Sequence, residues 1–229
     1  MKILCSICAR GGSTSLKNKN IKILNGKPLI IHTLITAKKT KIFDKIVVSS
    51  DSKNILKISK RYADYLIKRP FKLSHDKAPK IPAIKHALLS SEKYFNKKFD
   101  IIIDLDATSP LRQVKDISGA LKKFLQNKNS NLFSVSPANK NPYYNMVELK
   151  KKKIKIVKDT KTNFYGRQEA PKIFDVNASI YIWKRTSLLN AKNILNHKTG
   201  IFIMPKSRSI DIDDKDDFNL VEYYMKKNK

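Results

Sequence analysis

Short apolar runs alternate with stretches of helical spacing, and this alternation constrains the fold more than any other feature. Ile3–Ala9, Lys45–Ser49, Asp100–Leu105 and Asn131–Ser136 read as buried strands, with Tyr65–Lys68 a shorter one. Between them, Leu29–Lys38, Lys53–Tyr62, Ile81–Phe95 and Val114–Gln126 read as helices. The first turns Leu29, Ile30, Thr33, Leu34 and Ala37 to one face, and the third turns Ile84, Ala87, Leu88 and Tyr94 inward. Asp51 or Ser52 is placed to cap the second. Strands that alternate with helices build a mostly parallel sheet covered on both sides, which makes this a doubly wound α/β chain. Ligands of such sheets bind at the carboxyl ends of strands. Four polar segments fall at such ends: Arg10–Asn20, Ser49–Asp51, Arg69-Pro70 and Asp104–Arg112.

The alternation stops after Ser136. Asn139–Pro171 is polar and irregular, with a hairpin expected from Met146–Leu149 and Lys153–Val157 around the lysine run Lys150–Lys153. It reads as an arm inserted into one domain of 229 residues rather than as a second domain. Strands at Ala178–Trp183 and Gly200–Met204 and a helix over Asp214–Lys226 follow.

Composition removes several function classes. No apolar run approaches the ~20 residues of a membrane span, and the first residues lack a secretory pattern, so a cytoplasmic protein with no membrane partner is expected. The net charge of +29 invites a nucleic-acid reading. Only 7 of the 48 basic residues are Arg, however, and the lysines are spread along the whole chain, so no specific nucleic-acid partner is expected. Salt-sensitive binding to polyanions remains a side effect of that charge. Cys5 and Cys8 have C-x-x-C spacing, but on a strand they face opposite sides, and no second pair completes a metal site.

Two segments carry chemistry. The apolar run Ile3–Ala9 ends in Arg10-Gly11-Gly12-Ser13, followed by Lys17, Lys19 and Asn20. Glycines let a backbone approach a ligand and turn its amides inward, and Arg10 and Lys19 add positive charge. That combination suits a triphosphate. The loop matches neither the P-loop G-x-x-x-x-G-K-[ST] nor the dinucleotide fingerprint G-x-G-x-x-G. Near the other end, Ser209-Ile210-Asp211-Ile212-Asp213 alternates polar and apolar residues, which puts Asp211 and Asp213 on one side of an extended segment. Two adjacent carboxylates call for a cation between them, Mg²⁺ first. Asp214, Asp216 and Asp217 are assigned instead to the start of the last helix. Together these segments suggest nucleotide transfer.

The same residues resemble a known family. Ile7-Cys8-Ala9-Arg10-Gly11-Gly12-Ser13 with Lys17-Asn18-Lys19-Asn20, then Lys27-Pro28-Leu29-Ile30, Arg69-Pro70, Ala107-Thr108-Ser109-Pro110-Leu111-Arg112, Asn177-Ala178-Ser179-Ile180-Tyr181-Ile182 and Ser209–Asp213 occur in the order seen in acylneuraminate cytidylyltransferases. Ile103–Pro110, Lys140–Glu148 and Arg167-Gln168-Glu169-Ala170-Pro171-Lys172 look most like the branch that makes CMP-activated legionaminic acid. The resemblance implies a Rossmann-like nucleotidyltransferase fold and a Mg²⁺-dependent reaction of CTP with a nonulosonic acid. Legionaminic acid is favoured over N-acetylneuraminic or pseudaminic acid.

It further implies roles. Ala9, Arg10, Gly11, Gly12, Ser13, Lys19, Asn20 and Arg69 hold the nucleotide. Arg10, Lys19 and Asp211 serve catalysis, and Asp211 and Asp213 bind the metal. Asp106, Arg167 and Gln168 face the sugar, with Asp106 standing where sialic acid enzymes more often carry Gln. The 139–171 insert resembles a dimerisation arm, which implies a homodimer. In one place the pattern breaks: relatives usually continue Gly-Gly-Ser with Lys-Gly, and this chain has Thr14-Ser15. The alternatives are therefore a catalytically weakened homologue that binds CTP, or a basic polyanion-binding protein.

Overall fold

The computed structural model describes residues 1–12, 16–75, 78–158, 160, 164, 166 and 168–227. Strands and helices alternate from the start. β1 (Ile3–Cys8) is followed by the short pair β2 (Ile23–Leu24) and β3 (Lys27–Pro28), then α1 (Leu29–Thr40), β4 (Lys45–Ser50), α2 (Lys53–Ser59) and β5 (Tyr65–Lys68). Next come α3 (Lys80–Phe95), β6 (Ile101–Leu105), α4 (Val114–Gln126) and β7 (Asn131–Pro137). A hairpin of β8 (Val147–Lys150) and β9 (Lys153–Ile156) precedes β10 (Phe174–Lys184), α5 (Arg185–Asn190), β11 (Thr199–Ile203) and α6 (Lys215–Lys227).

Seven strands make one sheet in the order β11-β7-β10-β6-β1-β4-β5. All neighbours pair parallel except β10, which runs antiparallel to both β6 and β7. The mostly parallel α/β sheet expected from the sequence is therefore present. β1 lies at the centre. The chain moves outward from it to β4 and β5, then returns to place β6 on its other side. Such a reversal of strand order opens a crevice at the carboxyl ends of the two strands, where ligands of doubly wound folds bind.

Alternation along the strands sends side chains to two cores. Ile3, Cys5 and Ile7 pack with Ile30 and Leu34 of α1 and with Ile117 and Phe124 of α4. Leu4 and Val47 pack on the other face with Ile84 and Leu88 of α3 and with Trp183. Cys5 belongs to the first core and Cys8 packs against the second, so the C-x-x-C pair is split across the sheet as its spacing requires. A third, smaller core joins Leu24 and Leu29 to Ile212, Phe218 and Val221. It clamps the end of the chain to the beginning.

Two expectations need correction. Tyr94 is 60% exposed instead of inward; its ring stacks on Tyr65 at a centroid distance of 3.9 Å. β10 begins four residues before the expected Ala178–Trp183 and ends one residue after it, as Phe174–Lys184. A shift in its register between Val176 and Tyr181 surrounds Ala178, whose φ is +51°. Such a bulge interrupts the period-two pattern, which is why the sequence reads only its regular half. α5 and the β2–β3 pair lack a periodic signature because they span so few residues.

Candidate active site

A cleft of about 250 Å³ opens at the crevice beside β1. Its walls include Ala9, Arg10, Gly12, Lys19, Asn20, Arg69, Asp106, Asp211 and Asp213. Residues 200 positions apart in sequence thus meet in one hollow, and the Lys19 Nζ lies 3.1 Å from Asp213 Oδ1.

The first wall is the loop after β1. Gly11 does not present its amide to the cleft: its N–H donates to Asp51 Oδ1 at 2.9 Å. A Cβ on Gly11 would lie 2.8 Å from the Cβ of Ser52, so glycine is required for two loops to touch. Gly11 therefore departs from the ligand-facing role expected of it and serves close packing. Asn20 is buried and donates its side-chain N–H to the Arg10 carbonyl at 2.9 Å, while its Oδ1 has no hydrogen-bond partner. Arg69 is also buried, donates from Nε to Ser74 Oγ at 3.1 Å and stands 3.8 Å from Asp51. Ser52, by accepting from the Ile55 N–H, caps α2.

The second wall is the segment before α6. Ile212 is fully buried in the third core, and its N–H donates to the Thr108 carbonyl at 2.9 Å. Anchoring of this side chain, which contributes about 2–3 kcal/mol by burial, sends its two neighbours the other way, into the cleft. Asp214 Oδ1 accepts from the N–H groups of Asp216 and Asp217, and Asp217 Oδ2 accepts from the Asp213 N–H. These three acids serve the helix start, as their position predicts. Asp211 is different. Its Oδ1 is buried with no hydrogen-bond partner. Burial first, then Asp106 and Asp213, push its carboxyl up to about 6 against a hydrogen bond from Thr108 and the charge of Lys19.

A carboxylate held in this way has a vacant hard-oxygen donor and excess negative field, which fits a divalent cation. Among the described residues no cluster of three or more His, Cys, Asp or Glu stands ready for a metal. The Asp211 and Asp213 pair offers only part of an oxygen shell, and a bound cation would take the rest from other oxygen donors.

The third wall follows β6. Asp106 Oδ1 accepts from Thr108 Oγ1 at 3.0 Å and Oδ2 from Lys80 Nζ at 2.7 Å. Lys80 also stands 3.4 Å from the buried Asp104 and 4.2 Å over the Tyr181 ring. Sequence reading passed over Lys80. The available signal was a lysine directly after Pro79 in the first turn of a helix, where the dipole disfavours positive charge. Behind this wall Arg112 is buried and binds four groups: Ser179 carbonyl and Oγ from NH1, Thr33 Oγ1 and the Asp106 carbonyl from NH2, at 2.7–3.1 Å. Burial pulls its guanidinium down to about 10. Asn177, beside Ala178 in β10, accepts from Ser134 Oγ and donates to Ser209 Oγ at 2.9 Å. The three motifs around Arg112, Asn177 and Asp211 thereby form one hydrogen-bonded frame.

Not every expected residue enters the cleft. Gln168 lines a separate cavity of about 420 Å³ with Asn141, Phe174 and Ile203. Ser13, Thr14, Ser15 and Arg167 lie outside the described residues. The hairpin of the arm forms as expected, one residue shifted at its start.

Comparison with known proteins gives four findings. A family model described as "Cytidylyltransferase" matches residues 4–221. Post-translational flagellin modification protein B of Campylobacter coli is 46% identical over 98% of this chain and 95% of that protein. CMP-N,N'-diacetyllegionaminic acid synthase of Campylobacter jejuni is 45% identical over the same shares. Among solved structures, a CMP:2-keto-3-deoxy-manno-octonic acid synthetase complexed with CTP superimposes with a TM-score of 0.74 over the full length of both chains. At 14% identity that likeness concerns the fold alone.

Proposed function

We infer the reaction from the family: the chain belongs to the cytidylyltransferases, and we propose that it joins CTP to a nine-carbon 2-keto sugar acid, releasing pyrophosphate. Legionaminic acid is the favoured acceptor, on the 45% identity to a synthase of its CMP derivative. The observation that carries this reading is the convergence of Arg10, Lys19 and Asn20 with Asp211 and Asp213 in one cleft.

In this reading the anomeric hydroxyl of the acceptor attacks the α-phosphorus. An O–P bond forms, the bond to pyrophosphate breaks, and the hydroxyl proton ends in the medium. Negative charge builds on the phosphoryl oxygens and the leaving group. Arg10 and Lys19 face that charge and stabilise it where it develops. Asn20 and Arg69, both held in place by protein hydrogen bonds, orient the nucleotide. Asp106, held by Lys80 and Thr108, faces the acceptor, with Arg167 assigned to its carboxylate. Asp211 and Asp213 would hold Mg²⁺, which would supply positive charge to phosphate oxygens. Lys19 keeps the Asp213 carboxylate oriented toward the cleft.

A homodimer is proposed through the arm. Val147, Leu149, Ile154 and Ile156 share one face of the hairpin by their register, and that face is exposed at Leu149 (76%) and Ile154 (73%). An isolated two-stranded hairpin with an uncovered apolar face is unstable in water, and a second copy is the partner proposed to cover it. The cytoplasm, where CTP is made, is the proposed setting; no helix among the described residues is long and apolar enough to cross a membrane.

The test is pyrophosphate release from CTP and Mg²⁺ with a panel of nonulosonic acids. Release that is fastest with legionaminic acid is the expected result. Silence with every acceptor, alongside undiminished CTP binding, would replace the enzyme with a CTP-binding homologue weakened at Thr14-Ser15.

A further inference from the structure

Lys80 occupies an unusual position. It stands in the first turn of α3, where the helix dipole disfavours a cation, and its side chain is half-buried, which disfavours it again. Burial alone would lower its pKa, yet Asp106 first and then Asp104 raise it. Its ammonium has three N–H groups, and three neighbours surround it: Asp106 Oδ2 at 2.7 Å, Asp104 Oδ2 at 3.4 Å and the Tyr181 ring at 4.2 Å. On the far side of Asp106, Arg112 binds the backbone carbonyl and not the carboxylate. Among the described residues, Lys80 is thus a cation that meets both the buried Asp104 and the half-buried Asp106 of this wall.

Location gives the charge a purpose. Lys80 lines the cleft, and it also lines an adjoining groove of about 850 Å³ that carries Lys85, Lys192 and Leu195. The phosphate side of the cleft has its own cations, Arg10 and Lys19, on the opposite wall. Without Lys80 the wall shared by the cleft and the groove would present two uncompensated carboxylates, with Asp211 close behind.

The geometry points to Lys80 as a specificity-determining residue: by neutralising Asp104 and Asp106 it makes this wall acceptable to an anionic acceptor. The inference rests on the proposed reaction with a sugar acid. Lys80 acts through its charge: its ammonium hydrogen-bonds Asp106 at 2.7 Å, and its other close neighbours are the Asp104 carboxylate and the Tyr181 ring. It is therefore a positioning residue and not a catalytic one.

The experiment measures KM for CTP, KM for the acceptor and kcat in wild type, Lys80→Met, and the double variant Lys80→Met/Asp104→Asn, with melting temperature and CTP binding recorded for each. In Lys80→Met the acceptor KM is expected to rise tenfold or more while the CTP KM stays within threefold. In the double variant, which removes one charge of each sign, the acceptor KM is expected to return to within threefold of wild type. Equal rises in both KM values, or an unrescued acceptor KM in a double variant that melts like wild type, would overturn the inference while leaving the proposed reaction standing. Failure of wild type itself to turn over any sugar acid would instead remove the reaction and the inference with it. Should Lys80→Met not fold, the double variant alone decides: an acceptor KM near wild type upholds the inference and a tenfold rise overturns it.

Discussion

Around the cleft, polar side chains are buried and mostly paired; on the arm, apolar side chains are exposed. Asn20, Arg69, Asp104, Thr108, Arg112, Asn177 and Ser179 are all buried, and most find partners on distant segments, as Ser6 Oγ does with Asp104 at 2.7 Å. Along 147–156 the same chain leaves Val147, Leu149 and Ile154 in contact with water. Buried polar groups cost free energy unless every partner is present, so the cleft is a place where geometry is fixed. Exposed apolar groups gain only when something covers them. The first region meets most of its polar needs within the chain, and the second leaves its apolar face exposed.

The largest test of that contrast is Asp211→Asn. A buried carboxylate oxygen kept without a hydrogen-bond partner is proposed to serve activity and not folding. The change should lower kcat by about 10²–10³-fold, the usual scale for removing one electrostatic element of an active site, with no fall in melting temperature. Pyrophosphate release and thermal melts check both halves. Arg112→Met comes next and should do the reverse. It strands Ser179, Thr33 and the Asp106 carbonyl, and unsatisfied buried groups cost about 1–3 kcal/mol each. A loss of about 3 kcal/mol or more in urea unfolding is expected, and a loss below about 1 kcal/mol would break the picture of a hydrogen-bonded frame. Gly11→Ala forces apart the loops after β1 and β4, where its Cβ would sit 2.8 Å from that of Ser52. A cost of about 1–3 kcal/mol follows from such overpacking, with a raised KM for CTP. The smallest effect on the folded chain belongs to the arm. Leu149→Ser with Ile154→Ser should change chain stability by only about 0.5 kcal/mol while shifting sedimentation from dimer to monomer. A protein that is already monomeric would remove the dimer from the account.

The same contrast explains what could be read from the sequence. β1, β4, β6 and α4 announce themselves by period, and Val114–Gln126 coincides with α4 residue for residue. The Asp211 and Asp213 pair was legible because Ile212 between them is apolar and becomes the buried anchor. The glycine loop was legible as a site but not in its parts, since nothing in Gly11-Gly12 says which amide turns to Asp51 and which residue lines the cleft. Lys80 and Arg112 were missed in their roles for a physical reason. Their meaning comes from partners 26 and 67 positions away, and local periodicity carries no record of such partners. The bulge at Ala178 hid half of β10 in the same way, because its left-handed residue depends on what Asn177 and Ser179 bind across the sheet.

Whether the two ends of the chain grip one metal-chelated nucleotide is decided most directly by calorimetric titration of CTP with and without Mg²⁺, in wild type and in Asp211→Asn/Asp213→Asn. Wild type should bind CTP at least tenfold more tightly when Mg²⁺ is present, and the double variant should lose that gain while still binding metal-free CTP through Arg10 and Lys19. A gain from Mg²⁺ that survives in the double variant would contradict the account.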